Sequence, residues 1–173
     1  MKSNGSVYVA VVFAILIGYF GYQWWYNPAR AVKRRLGEVA AALSASADDT
    51  DMTRIRRLAQ LRRYLADDIR VRPRLTAPEI TSRDVVLAAI GSWRPPPGGG
   101  DIHFADVQIA MESDAAARAY VTVELTVPDS ETGRATISAR DATVRLAKRN
   151  GEWVITEAES KEIPGAAGRP RSP

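Results

Sequence analysis

Cysteine is absent from the 173 residues, and histidine occurs once, at position 103. Without thiols there is no disulfide, no thiolate nucleophile and no cysteine metal site, and the redox compartment is left open. A single His103 excludes a histidine-rich metal centre. Gly98-Gly99-Gly100 leads into a strand pattern rather than a helix, so it is no phosphate-binding loop, and no nucleophile elbow occurs. Asp48, Asp49 and Asp51 have a calcium-like spacing but lack the turn glycine and the distal glutamate of a calcium loop. No cofactor and no metal are expected. An excess of one charge sign is also missing: leaving out Lys2, 23 basic residues face 20 acidic ones. With Tyr64 as the one ring on the most basic helix, no nucleic-acid partner is expected.

What is present begins with an apolar run. Val7 to Tyr26 is 20 residues without a charge, the length of about 20 that a helix needs to cross a bilayer. Residues 1–6 are then a short tail and 7–26 a transmembrane helix. Trp24, Trp25 and Tyr26 suit the headgroup level, and Arg30, Lys33, Arg34 and Arg35 follow as interface cations. A cleaved signal peptide is the competing reading, since Ala29-Arg30-Ala31 is small-x-small, but two tryptophans stand where an apolar core would already have ended. Counted charges would keep the C-terminal part in the cytoplasm. A short tail before one N-terminal span is instead the layout of an exported domain, and we expect a single-pass inner-membrane protein with a periplasmic domain. Membrane lipid and other envelope proteins are its expected partners.

Residues 27–162 carry the pattern of one folded domain, and 163–173 that of a Pro, Gly and Ala tail expected to be disordered. Val32, Leu36, Val39 and Leu43 form one helical stripe. A second helix, capped by Asp51 or Thr53, is expected to bury Ile55, Leu58, Leu61 and Leu65, with its arginines mostly on other faces. Those arginines serve either as a solvated face or in attraction to anionic headgroups, at about 1 kcal/mol each near the surface. Asp68 to Arg72 alternates as an edge strand before Pro73. Thr81 with Asp84 is the expected capping box of a third helix, whose apolar side is Val85, Val86, Ala89, Ile90 and Trp93 and which Pro95 to Pro97 must end.

The C-terminal part reads as four strands, 102–112, 117–127, 134–148 and 152–160, with Asn150-Gly151 as a two-residue hairpin turn. Two motifs, Ser82-Arg83-Asp84-Val85-Val86 and Lys148-Arg149-Asn150-Gly151-Glu152-Trp153-Val154-Ile155, together with the element order, resemble the nuclear transport factor 2-like (cystatin-like, SnoaL-like) superfamily over about residues 31–162. The resemblance implies an α+β cone: three helices packed on the concave face of a curved, mostly antiparallel sheet. It further implies a pocket lined by Val144, Leu146, Trp153 and Ile155, with core packing the ordinary role of Trp153. By strand parity Arg140 and Glu157 join that lining, as a mutual ion pair.

Catalytic members of the resembled family hold an acid/base pair in the cone. The candidates here are His103 and Glu157, and neither comes with a specified partner or nucleophile. The expected function is therefore a membrane-anchored, non-catalytic binding or scaffold domain, an assembly subunit of a cell-envelope complex or a small apolar ligand binder. The alternative is a small hydrolase or isomerase using a pocket acid. The outer sheet face, with Tyr120, Thr122 and Thr126, is the expected surface for a homodimer.

Overall fold

The computed structural model describes residues 27–73, 78–94, 98–128 and 134–161. The expected span 7–26 with Trp24, Trp25 and Tyr26, the Pro95–Pro97 connection and the 163–173 tail lie outside the described residues. Among the described residues no helix is long and apolar enough to cross a membrane.

Helix α1, Pro28–Leu43, starts where Asn27 Oδ1 accepts the Ala29 N–H at 3.1 Å and proline occupies the first turn, a position that needs no donor. Its stripe Val32, Leu36 and Val39 is buried. Ser44 ends it and ties it to the sheet: its hydroxyl bonds Ala40 O, and the Ile102 N–H donates to the same Oγ at 2.9 Å. After the two-residue strand β1, Ala45–Ser46, helix α2 spans Asp51–Tyr64. Its cap is Thr50, whose side chain accepts the Thr53 N–H at 3.2 Å, and not Asp51 or Thr53. Strand β2, Leu65–Arg72, follows directly, then helix α3, Arg83–Ser92. Ser82 stands at the cap of α3 without a side-chain cap bond; the expected box does not form, because Asp84 reaches across to Arg62 at 3.2 Å.

Strands β3 (Gly99–Ser113), β4 (Ala116–Pro128), β5 (Ala135–Arg149) and β6 (Glu152–Lys161) make the expected antiparallel meander. Asn150 and Gly151 take φ of 52° and 85° at the last turn, as a primed two-residue turn requires. The sheet has six strands in the order β1-β3-β4-β5-β6-β2: the four of the meander, the expected edge strand β2, which runs parallel to β6, and the short β1, which was not expected.

One face of this sheet carries Ala117, Ala119, Val121, Val144, Leu146, Trp153 and Ile155 into the core, against Val32, Leu36, Leu61, Tyr64 and Val86 of the helices. Each large aliphatic side chain so buried contributes about 1.5–3 kcal/mol. The buried face of α2 differs from the expected one. Leu61 and Tyr64 are buried while Ile55 is 61% exposed, because Ile55 lies about 120° round the helix from Leu61 and about 180° from Tyr64. Leu65 belongs to β2. In α3, Val86 is buried and Val85 is 52% exposed.

Candidate binding site

Three helix ends converge beside the core: the C-termini of α1 and α3 and the first two turns of α2. Between them lies a cavity of about 230 Å³. Its apolar wall is Ala42 and Leu43 from α1, Leu58 and Leu61 from α2, and Ile90 and Trp93 at the end of α3. Trp93 bridges to the sheet, and Gly100 makes room for it. A Cβ at Gly100 would lie 3.3 Å from the Trp93 ring and 3.4 Å from Leu125 Cδ1, tighter than a side chain normally tolerates without its neighbours shifting.

The polar wall is built on α2 by Arg54 and Arg57, three residues apart and therefore on one face with Leu58 and Leu61. Arg57 Nη1 donates to the Ser44 carbonyl at the end of α1, and Nη2 pairs with Asp49 Oδ2. The same Asp49 oxygen accepts the Ser46 N–H at 2.9 Å. Arg57 Nε is buried and has no hydrogen-bond partner among the described residues. Arg54 Nη2 donates to Gly91 O at 2.5 Å and Trp93 O at 2.8 Å, the carbonyls that end α3. Both guanidiniums sit where helix dipoles place partial negative charge, which favours cations there. Arg54 and Arg57 thus belong to the fold and the cavity, not to the freely solvated or lipid-facing surface that the arginine count suggests.

No protein-family profile matches this chain, and no curated protein sequence does. Solved structures do resemble it. A nuclear transport factor 2-like protein with a cystatin-like fold from Novosphingobium aromaticivorans superposes with TM-score 0.64 at 10% identity, over 96% of this chain and 94% of that one. A candidate scytalone dehydratase from the same organism gives TM-score 0.60 at 17% identity, over 78% and 83%. A candidate calcium/calmodulin-dependent protein kinase II association domain from Xanthomonas campestris gives 0.53 at 16%, over 79% and 86%. The fold is the nuclear transport factor 2-like cone. At these identities the likeness concerns the fold alone. Two of these neighbours carry names as different as a dehydratase and an association domain, so activity in a cone rests on the residues of its site.

Within this cone the residues singled out from sequence are distributed as follows. Val144, Leu146, Trp153 and Ile155 are buried at the centre of the core, and the cavity between the helix ends is lined by other residues. Glu157 lies on the outer face with Arg145, whose Nη1 is 3.0 Å from Glu157 Oε2. The Arg140–Glu157 pair therefore does not form. The cause is a bulge in β6: Leu146 opposes Ile155 while Arg145 opposes Glu157, which leaves Thr156 as the extra residue and reverses parity beyond it. Arg140 keeps inner parity opposite Val123 but is exposed, because there the β4–β5 hairpin extends past the helices. His103 is exposed and opposes Glu124. Its register neighbours Asp101 and Ala105 face Thr126 and Thr122, and Thr122 bonds outer-face Asp141 at 3.1 Å, so His103 belongs to the outer face and not the cone interior.

Of the expected interface cations, Lys33 and Arg34 are exposed on α1, as is Arg30. Arg35 instead turns onto the domain: it pairs with Glu38 at 3.0 Å and Glu152 at 3.6 Å, and its guanidinium carbon sits 4.6 Å from the Tyr64 ring centroid. The cavity residues Arg54, Arg57 and Trp93 were not singled out as a site by sequence. The detectable signal was the 54, 57, 58, 61 spacing, which puts two arginines and two leucines on one helical face.

Proposed function

We propose that this cone is a non-catalytic binding domain whose mouth cavity, between α2 and α3, takes a small apolar ligand. One observation carries the reading: the cavity joins an apolar wall to an acid, Asp49, whose Oδ2 is already engaged by Arg57 and the Ser46 N–H. A general base needs a lone pair aimed at the substrate, whereas Asp49 acts as the counter-ion of a structural arginine. Asp51, the other acid of the wall, is exposed at the start of α2. The 7–26 run stops at the residue before the Asn27 cap of α1, and we read it as a tether that holds the cone at the periplasmic face of the inner membrane. Tethering raises the effective concentration of the domain toward other membrane proteins, which suits a subunit of an envelope assembly.

The test uses the full chain in nanodiscs of zwitterionic lipid, with isoleucine and leucine methyls labelled for NMR. Indole is titrated in. Saturable shifts at Leu58, Leu61 and Ile90, with Leu146 unmoved, are expected, and Ile90→Trp, which fills the cavity, should abolish them. Absence of saturation, or identical shifts in that variant, would overturn the reading. Ester or isomerase turnover that disappears in Asp49→Asn would establish the hydrolase or isomerase alternative instead.

A further inference from the structure

The cavity is not electrically neutral. Three guanidiniums, Arg54, Arg57 and Arg94, face two carboxylates, Asp49 and Asp51. Arg57 and Asp49 cancel one another as an ion pair. Among the described residues Arg54 has carbonyl partners only, and those occupy Nη2. A guanidinium has five N–H donors in a planar fork, so Nη1 and Nε of Arg54 keep theirs for another acceptor. The buried Arg57 Nε–H is a second donor without an acceptor among the described residues. Such a donor is unfavourable when nothing accepts it. An apolar body beside unused, charge-assisted donors selects against purely apolar ligands.

Resting on the reading that this cavity binds a small apolar body, we propose that its ligand is a small amphiphile with one carboxylate: the body lies against Leu58, Leu61 and Ile90, and the head is held by the free edge of Arg54. Size sets the class further. Since a cavity of about 150 Å³ holds benzene, one of about 230 Å³ takes roughly nine carbon atoms by the same proportion. Arylalkanoic and medium-chain acids meet this description. Long-chain lipids exceed it.

The experiment measures binding of 3-phenylpropanoate and of its uncharged isostere 3-phenylpropanamide to the full chain in zwitterionic-lipid nanodiscs. The acid is expected to bind at least ten-fold more tightly. In Arg54→Gln the preference falls below two-fold while amide affinity is kept, and Arg54→Lys, which retains the charge without the fork, recovers part of it. Arg94→Gln, outside the clamp on α3, reduces the preference about two- to three-fold. Equal binding of acid and amide by the unaltered chain overturns the charged-head proposal and leaves the apolar cavity standing. Binding of neither overturns both, and because that comparison needs no variant, a misfolded Arg54→Gln does not affect it.

Discussion

Arg57→Met keeps the length of the side-chain stem and removes the charged head, which isolates what the clamp between α1 and α2 contributes. Three effects follow. Ser44 O loses a hydrogen bond to a charged donor, about 1.5–3 kcal/mol. Asp49 loses its counter-ion, which would cost about 3–5 kcal/mol for a fully buried pair. These side chains are 19% and 18% exposed, so solvent screening reduces that contribution to about 1–2 kcal/mol. Against these stands relief from the buried Nε–H, worth about 1–2 kcal/mol. The net destabilisation is about 2–3 kcal/mol, or a melting point lower by roughly 5–10 °C for a chain of this size. Near-UV circular dichroism of the full chain reads the transition through buried Trp153. Arg56→Met and Arg63→Met, both at exposed positions of the same helix, should stay within about 2 °C. Asp49→Asn combined with Arg57→Met should cost about 1 kcal/mol less than the sum of the single changes, because neither charge is then left alone. If Arg57→Met melts with its exposed controls, the clamp has no energetic content and the cavity wall loses its rationale.

Three further outcomes follow from the same structure. Asp68 is held below the usual carboxylate range, first by its hydrogen bond to Arg149 and then by a bond to its own backbone; its folded value is depressed, so the stability it lends is present above the ordinary aspartate range and is lost as pH falls through the lowered value. A carboxyl-detected NMR titration should place Asp68 below its ordinary value in the native chain and return it upward in Arg149→Gln. Trp153→Ala, at a residue 5% exposed, should cost about 3–5 kcal/mol in denaturant unfolding, and Trp153→Phe less. Gly151→Ala meets nothing within 4 Å at φ +85° and should cost only left-handed strain, about 1–2 kcal/mol. Gly99→Ala, at the same φ, would place its Cβ 2.5 Å from Ala45 O and 2.9 Å from Ala47 N; it should cost more and also shift the cavity methyls, because β1 must separate from β3.

The meander was legible because its signals are local. Alternation and the Asn150-Gly151 turn placed the four strands within three residues of their observed ends, and the 32, 36, 39, 43 stripe placed α1. What stayed hidden depends on single-residue insertions and on distant partners. Asp106 takes φ +48° between the Ala105–Thr122 and Gln108–Tyr120 pairs, and Thr156 is the extra residue of β6. Each bulge moves every later side chain to the opposite face, so a parity count that crosses one assigns Glu157 to the wrong side. The parallel pairing of β2 with β6 left no local mark either, since 79 residues, 73–151, lie between the two strands and nothing in Leu65–Arg72 names its neighbour.

The arginines of α2 show why polarity alone misassigns a helical face. An arginine stem packs like a short aliphatic chain while its head seeks acceptors, so Arg54 and Arg57 can share the inner face with Leu58 and Leu61 provided carbonyls lie within reach. Those carbonyls exist because α1 and α3 both end beside the start of α2, at Ser44 and at Gly91 to Trp93. Helix ends leave carbonyls without intrahelical partners, and cations satisfy them with the dipole in their favour. The same convergence leaves a gap, because helix ends do not interdigitate as helix flanks do. A cavity walled by leucines and edged by guanidiniums is thus one consequence of how the three helices terminate, and the amphiphile proposed for it is matched to that wall and that edge.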